Sequence, residues 1–227
     1  MSRGERVWVF TGGEFSSKQL STVEIQSDDF IVGVDSGVKA CLSVGLLPNL
    51  LVGDFDSASP QVLADIRLKD VPRLAFSSEK ASSDLELALE ALATRKPSLV
   101  SVFGVSGGRT DHMLFNWHLI TRRGWQFNRQ IIDDTTHSYV LEGDSEIDID
   151  SSPGTHISLL AMNTCDGVTT TGLYYPLQNA TVAVGSTLGL SNVVLSDRFC
   201  VKINHGTLLV MVQLAHCLLY TSDAADE

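Results

Sequence analysis

Near residue 135 the chain changes rhythm, and that change limits its fold more than any other feature. Before it, short apolar runs alternate with helical patterns. Val7–Phe10, Phe30–Val34, Leu50–Val52 and Leu99–Phe103 read as strands, each closing on Thr, Asp or Gly. Between them, helices are expected over about 36–44, 60–69, 84–95 and 110–122. Asp84–Leu92 is rich in strong helix formers, and Ser82 or Ser83 is placed to cap its start. Strands alternating with helices imply βαβ units and a largely parallel sheet. After about residue 140, Thr, Val, Ser and Gly dominate and the long helical patterns stop. Ile157–Leu160, Ala180–Val184, Asn192–Leu195 and Leu208–Val212 read as strands separated by turns, the pattern of a small sandwich or jelly roll.

The expected architecture is therefore α/β followed by all-β. A mostly parallel α/β sheet domain spans 1–138, and a small β-sandwich domain spans 139–216. The tail, 217–227, looks like the translation of a transposase sequencing adapter and is expected to be non-native. The chain has 227 residues, 44% of them hydrophobic, which is enough for such cores. It lacks the run of about 18 apolar residues that a spanning helix needs, so no membrane partner is expected. The four cysteines have no CxxC spacing, which argues for a reduced cytoplasmic setting over a zinc cluster. The net charge of −11 argues against nucleic acid as a partner. Basic residues concentrate before residue 136: 14 Lys+Arg against 17 Asp+Glu there, and 2 against 10 in the remainder. An anionic ligand is more easily held in the first part.

Acidic residues fall where predicted strands end or helices begin: Asp35, the pair Asp54 and Asp56, Asp84, and Asp111. Ligands gather at the carboxyl ends of strands in open α/β sheets. In an extended segment the i, i+2 carboxylates of Asp54 and Asp56 point the same way, which suits a hard cation, and Asp84 is a third oxygen donor. Oxygen donors without Cys suggest Mg²⁺ bridging substrate phosphates. Singly, each Asp reads as a cap or turn former; the force lies in their number at strand ends. The second cluster is Gly107-Gly108-Arg109-Thr110-Asp111-His112, after a strand and opening a helix. Its glycines allow close approach to phosphate, and Arg109 is suited to clamp phosphate oxygens. Asp111 would orient the arginine, bind a hydroxyl or cap the helix. His112 reads as a packing or supporting residue. The loop is not a Walker A motif.

In this order, Val34-Asp35-Ser36-Gly37, Gly53-Asp54-Phe55-Asp56-Ser57, Ser83 through Leu89 and Gly107-Gly108-Arg109-Thr110-Asp111-His112 resemble the thiamine pyrophosphokinase family. Thr169–Leu177, Gly189-Leu190-Ser191-Asn192 and Gly206–Val210 are similar to that family's thiamine-domain segments. The likeness runs from about residue 5 to residue 213.

The resemblance implies transfer of a pyrophosphoryl group from ATP to the hydroxyethyl oxygen of thiamine, giving thiamine diphosphate and AMP. It also implies a homodimer, with the active site at the dimer interface and both domains contributing. Carried over by motif, Asp54, Asp56 and Asp84 would bind Mg²⁺. Gly107, Gly108, Arg109 and Asp111 would hold ATP, and Tyr175, Ser191 and Asn192 would contact thiamine. If a general base acts, Asp35 and Asp111 are the candidates. The departures are mild: Ser36 stands where the family commonly has a second Gly, Ser83 replaces Thr, and Ala81 replaces an acidic residue beside Lys80. Two other readings use the same residues: a metal-dependent nucleotide phosphohydrolase, and a non-catalytic thiamine or nucleotide sensor. AMP formation that requires thiamine separates them.

Overall fold

The structure is a computed structural model that describes residues 4–54, 65–76 and 81–214. The chain divides into two compact units, at Asp134 and Thr135. In the first, six strands pair in parallel: β1 (Arg6–Phe10), β2 (Phe30–Val34), β3 (Leu50–Gly53), β4 (Arg73–Ala75), β5 (Leu99–Phe103) and β6 (Asn128–Ile132). Their order is β6-β5-β1-β2-β3-β4. The chain therefore builds outward from β1 in one direction, then returns to its other side with β5. Such a reversal leaves a crevice at the carboxyl ends of the two strands that flank it. β4 and β6 were not foreseen: β4 is short, and β6 carries the polar Asn128, Arg129 and Gln130.

The helices match the apolar periodicity: α1 (Gly37–Ser43), α2 (Asp84–Arg95) and α3 (Thr110–Thr121). The expected cap of α2 is Ser83, whose hydroxyl accepts from Glu86 N at 3.2 Å. Its other end turns through Lys96 in the left-handed conformation, φ 54°. Half of the helix expected over 60–69 falls outside the described residues; the described half holds a single 3-10 turn, Ile66–Leu68. Trp8, Phe10 and Phe103 stack across β1 and β5 at centroid distances of 5.8 and 4.8 Å, and Phe15 meets Phe10 edge-on. Beside them the carboxylate of Asp29 takes the Arg6 guanidinium and the Trp8 indole N–H, which satisfies a buried charge.

The second unit is a β-sandwich. One layer is β12 (Asn192–Val193), β9 (His156–Ala161), β14 (Thr207–Gln213) and β7 (Thr136–Glu142). The other is β11 (Ala180–Val182), β10 (Cys165–Thr171), β13 (Arg198–Ile203) and β8 (Ser145–Asp150). All pairings within these layers are antiparallel. Alternate side chains of both layers meet in one core, with Ile157, Leu159, Leu208 and Val210 from the first and Val168, Phe199, Val201 and Ile203 from the second. The expected strand over Asn192–Leu195 shortens to two residues, because Val194 leaves the ladder to bridge Leu173. Among the described residues no helix is long and apolar enough to cross a membrane.

Candidate active site

A cleft of about 880 Å³ opens at the carboxyl ends of the parallel strands. The segments after β1, β2, β3 and β5 all reach it, as the strand order requires. They supply Thr11–Glu14, Asp35 and Ser36, Asp54, and Val105 with Gly107–Arg109; Asp84 comes from the start of α2. The structure thus brings together Asp35, Asp54, Asp84, Gly107, Gly108 and Arg109. Asp56 and Lys80 lie outside the described residues.

Two details explain the convergence of carboxylates. Asp35 ends β2 with φ 50°, a conformation Asp tolerates better than most residues, and its N–H bonds Val52 O at 2.8 Å. A non-glycine residue held there at a cleft is local strain of about 1 kcal/mol or more, a feature that clusters at functional sites. Gly53 ends β3 with φ 145°. That backbone is one L side chains rarely adopt, and it brings the end of β3 close to both Asp84 Oδ1 and Asp35 N, which lie 3.4 and 3.3 Å from where a Cβ would stand.

The anion end is built by two loops. Gly13 N donates to Gly104 O at 2.9 Å, and Glu14 N to Ser106 O at 2.8 Å. A Cβ at Gly13 would come within 2.4 Å of both carbonyls, so only glycine permits this pairing. Gly107 and Gly108 follow with φ 86° and 63°. Arg109 donates to Asp111 Oδ1 from Nε at 3.1 Å and to Oδ2 from Nη2 at 2.5 Å. That guanidinium holds the Asp111 carboxyl down to about 2 and raises Arg109 in turn. Asp111 therefore orients the arginine and is a poor proton acceptor at neutral pH. It gives α3 no side-chain cap; Arg109 takes the N-cap position. His112, read as a packing or supporting residue, is exposed on the first turn of α3 and lines the cleft.

The loop after β1 was read only as a strand end, yet Thr11, Gly12 and Gly13 are part of the wall. They also line a smaller bay of about 370 Å³ with Ser36 and Lys39, whose ammonium is its single charged group. The signal was present in Thr-Gly-Gly, since glycines at a strand's carboxyl end permit close approach of a ligand.

In the second unit, the rings of Tyr174 and Tyr175 meet edge-to-face at 4.8 Å, and the two residues are 60% and 62% exposed. Ser191 is exposed with φ 55°, and its N–H bonds Ser158 Oγ. Asn192 is buried: Oδ1 accepts from Tyr175 N and Val193 N, and Nδ2 donates to Tyr175 O.

Among the described residues, no three His, Cys, Asp or Glu side chains form a group able to hold a metal ion. Asp54 and Asp84 are nonetheless oxygen donors sharing one cleft, a donor set that fits a hard divalent cation such as Mg²⁺.

An acidic, glycine-walled cleft at the switch point of a parallel sheet, followed by a β-sandwich, defines a two-domain phosphoryl-group transferase. Residues 22–132 match the family description "Thiamin pyrophosphokinase, catalytic domain", and 144–208 match "Thiamin pyrophosphokinase, vitamin B1 binding domain". The thiamine pyrophosphokinase of Bacillus subtilis (strain 168) is 34% identical over 185 residues, 79% of this chain and 85% of that one. The crystal structure of the thiamine pyrophosphokinase from Bacillus subtilis superposes with a TM-score of 0.78 at 26% identity, covering 92% of this chain and 99% of that one. The structure from Geobacillus thermodenitrificans gives 0.77 at 25% identity, covering 94% and 100%. The chain belongs to the thiamin pyrophosphokinase family and is an enzyme of that kind.

Proposed function

We propose that the chain transfers the pyrophosphoryl group of ATP to the hydroxyethyl oxygen of thiamine, releasing AMP and thiamine diphosphate. The observation that carries this reading is the cleft itself, in which carboxylates face a glycine-walled anion end. In the reaction the alcohol oxygen attacks the β-phosphorus and the bond to the AMP oxygen breaks. Positioning and charge neutralisation supply most of the rate.

The backbone of Gly107 and Gly108 faces phosphate oxygens, and Arg109, steered by Asp111, offsets negative charge that develops on them. Asp35, inside the cleft, is the better placed of the two base candidates to take the hydroxyl proton. Asp54 and Asp84, together with Asp56, would hold Mg²⁺, which when bound neutralises phosphate charge. The exposed ring of Tyr175 offers a face for the cationic thiazolium or the pyrimidine of thiamine, with Ser191 beside it. The working form is read as a homodimer, supported by the apolar Leu114 and Phe115 that α3 leaves 52% and 78% exposed. A reducing, cytoplasmic setting suits the free thiols of Cys41 and Cys165.

The test is incubation with ATP and Mg²⁺, with and without thiamine, followed by chromatography of AMP and thiamine diphosphate. One-to-one, thiamine-dependent products are expected. AMP or ADP released regardless of thiamine would make the chain a phosphohydrolase, and ligand binding without product a sensor.

A further inference from the structure

Asp133 follows β6 directly and stands just outside the cleft. Its Oδ2 accepts the Ser106 hydroxyl at 2.8 Å. The same Ser106 oxygen accepts Trp117 Nε1 at 3.4 Å. With its proton given to a carboxylate and a lone pair given to an indole, the Ser106 hydroxyl has one setting. The carbonyl of Ser106 in turn receives Glu14 N–H, and Gly104 receives Gly13 N–H. The loop after β1 is thus hung on the loop after β5, and Asp133 holds the latter. The next residue repeats the arrangement: Asp134 Oδ1 accepts Ser16 Oγ at 2.7 Å, tying the far end of the first loop.

We propose that Asp133 is a positioning residue for the anion end of the cleft: through Ser106 it sets the Gly107–Gly108 backbone against the phosphates of the nucleotide. This rests on the nucleotide-dependent reaction proposed above. Burial pushes the Asp133 carboxyl up, the Ser106 hydroxyl pulls it back, and Asp134 pushes again. A neutral side chain would scaffold the loop without that cost, whereas an ionised acceptor binds the hydroxyl more firmly.

The test uses Asp133→Ala, Ser106→Ala, their combination, and Asp133→Asn, which keeps an acceptor for Ser106. The alanine variants are expected to raise KM for ATP about tenfold and leave KM for thiamine within about twofold. The double variant should be no worse than either single one, and Asp133→Asn should fall between wild type and Asp133→Ala. In the ligand-free chain, hydrogen exchange at Gly13 and Glu14 should quicken in Asp133→Ala. Equal rises in both KM values, or an activity loss that merely follows Tm, would reduce Asp133 to a stability residue and overturn the proposal. Unchanged exchange at Gly13 and Glu14 would overturn it whatever reaction the chain catalyses. A wild-type chain that forms no AMP in response to thiamine defeats the proposed reaction instead, and the exchange measurement still decides whether Asp133 holds the loops.

Discussion

Asn192 grips both backbone polar groups of Tyr175: Oδ1 accepts from its N–H at 3.0 Å, and Nδ2 donates to its carbonyl at 2.7 Å. Asn192 is 3% exposed while Tyr175, which it anchors, is 62% exposed. With Oδ1 also accepting from Val193 N, the side chain of Asn192 is committed largely to holding the backbone that carries the Tyr175 ring.

Tyr175→Ala removes an exposed ring and little packing. KM for thiamine should rise about tenfold, the worth of one stacked cationic ring, while KM for ATP changes less than about twofold. Tm should barely move. Steady-state kinetics with each substrate varied in turn checks this, and equal effects on both would make the ring a packing residue.

Asn192→Ala leaves the N–H and carbonyl of Tyr175 without their partner. Urea denaturation should show a loss of about 1–3 kcal/mol. KM for thiamine should rise as far as in Tyr175→Ala, and the double variant should add nothing further, since both changes disturb one ring.

Asp54→Asn and Asp84→Asn keep volume and remove a charge. Each should lower thiamine diphosphate formation by about a hundredfold or more, while circular dichroism and Tm stay at wild-type values. Near-normal turnover in either would remove that carboxylate from the site.

Acid should weaken the second unit through His137. Its ring stacks on Tyr139 at 4.3 Å, and burial pushes it from 6.5 down to about 4. Between those values the unfolded chain binds a proton that the folded chain refuses, so stability rises with pH across that window. The contribution is complete above about 6.5 and is lost as pH falls toward 4. At about 1.4 kcal/mol per unit the full shift amounts to about 3–4 kcal/mol, most of it lost by pH 4.5. Urea titrations at pH 7 and pH 4.5 should show that loss in wild type and a smaller one in His137→Gln.

The strand-end carboxylates were legible because a parallel sheet delivers every strand's carboxyl end to one edge, so Asp35 and Asp54 share a cleft as soon as β2 and β3 are read. The strands of the sandwich were less so. In β10, Gly167 takes φ 71° and the register shifts between Cys165 and Val168, which breaks the alternation that reveals a strand. β8 alternates well, but three of its four polar positions are acidic, and Ser145–Asp150 passes for a solvated turn. Asn192 shows a further limit. The family resemblance marks it as a thiamine contact, but only coordinates reveal that its amide holds the backbone of Tyr175. The pairing of Gly13 with Gly104, from loops some ninety residues apart, depends on the reversal of strand order at β1, which no local pattern encodes.

The parallel sheet also makes the first unit polar in the sense of a tool with a handle. Among the described residues the cleft lies where strands end; where they begin stand contacts such as the Arg95–Glu5 ion pair and the Ser98 N–H on Glu5 O. Lys96 turns at that edge, exposed, with the five residues of β5, about 17 Å, between it and the cleft. A cysteine placed there would be exposed, where Cys41 and Cys165 are buried and Cys200, the thiol to remove first, is half-buried. It offers a grip for a surface or a dye that leaves the working edge of the enzyme clear.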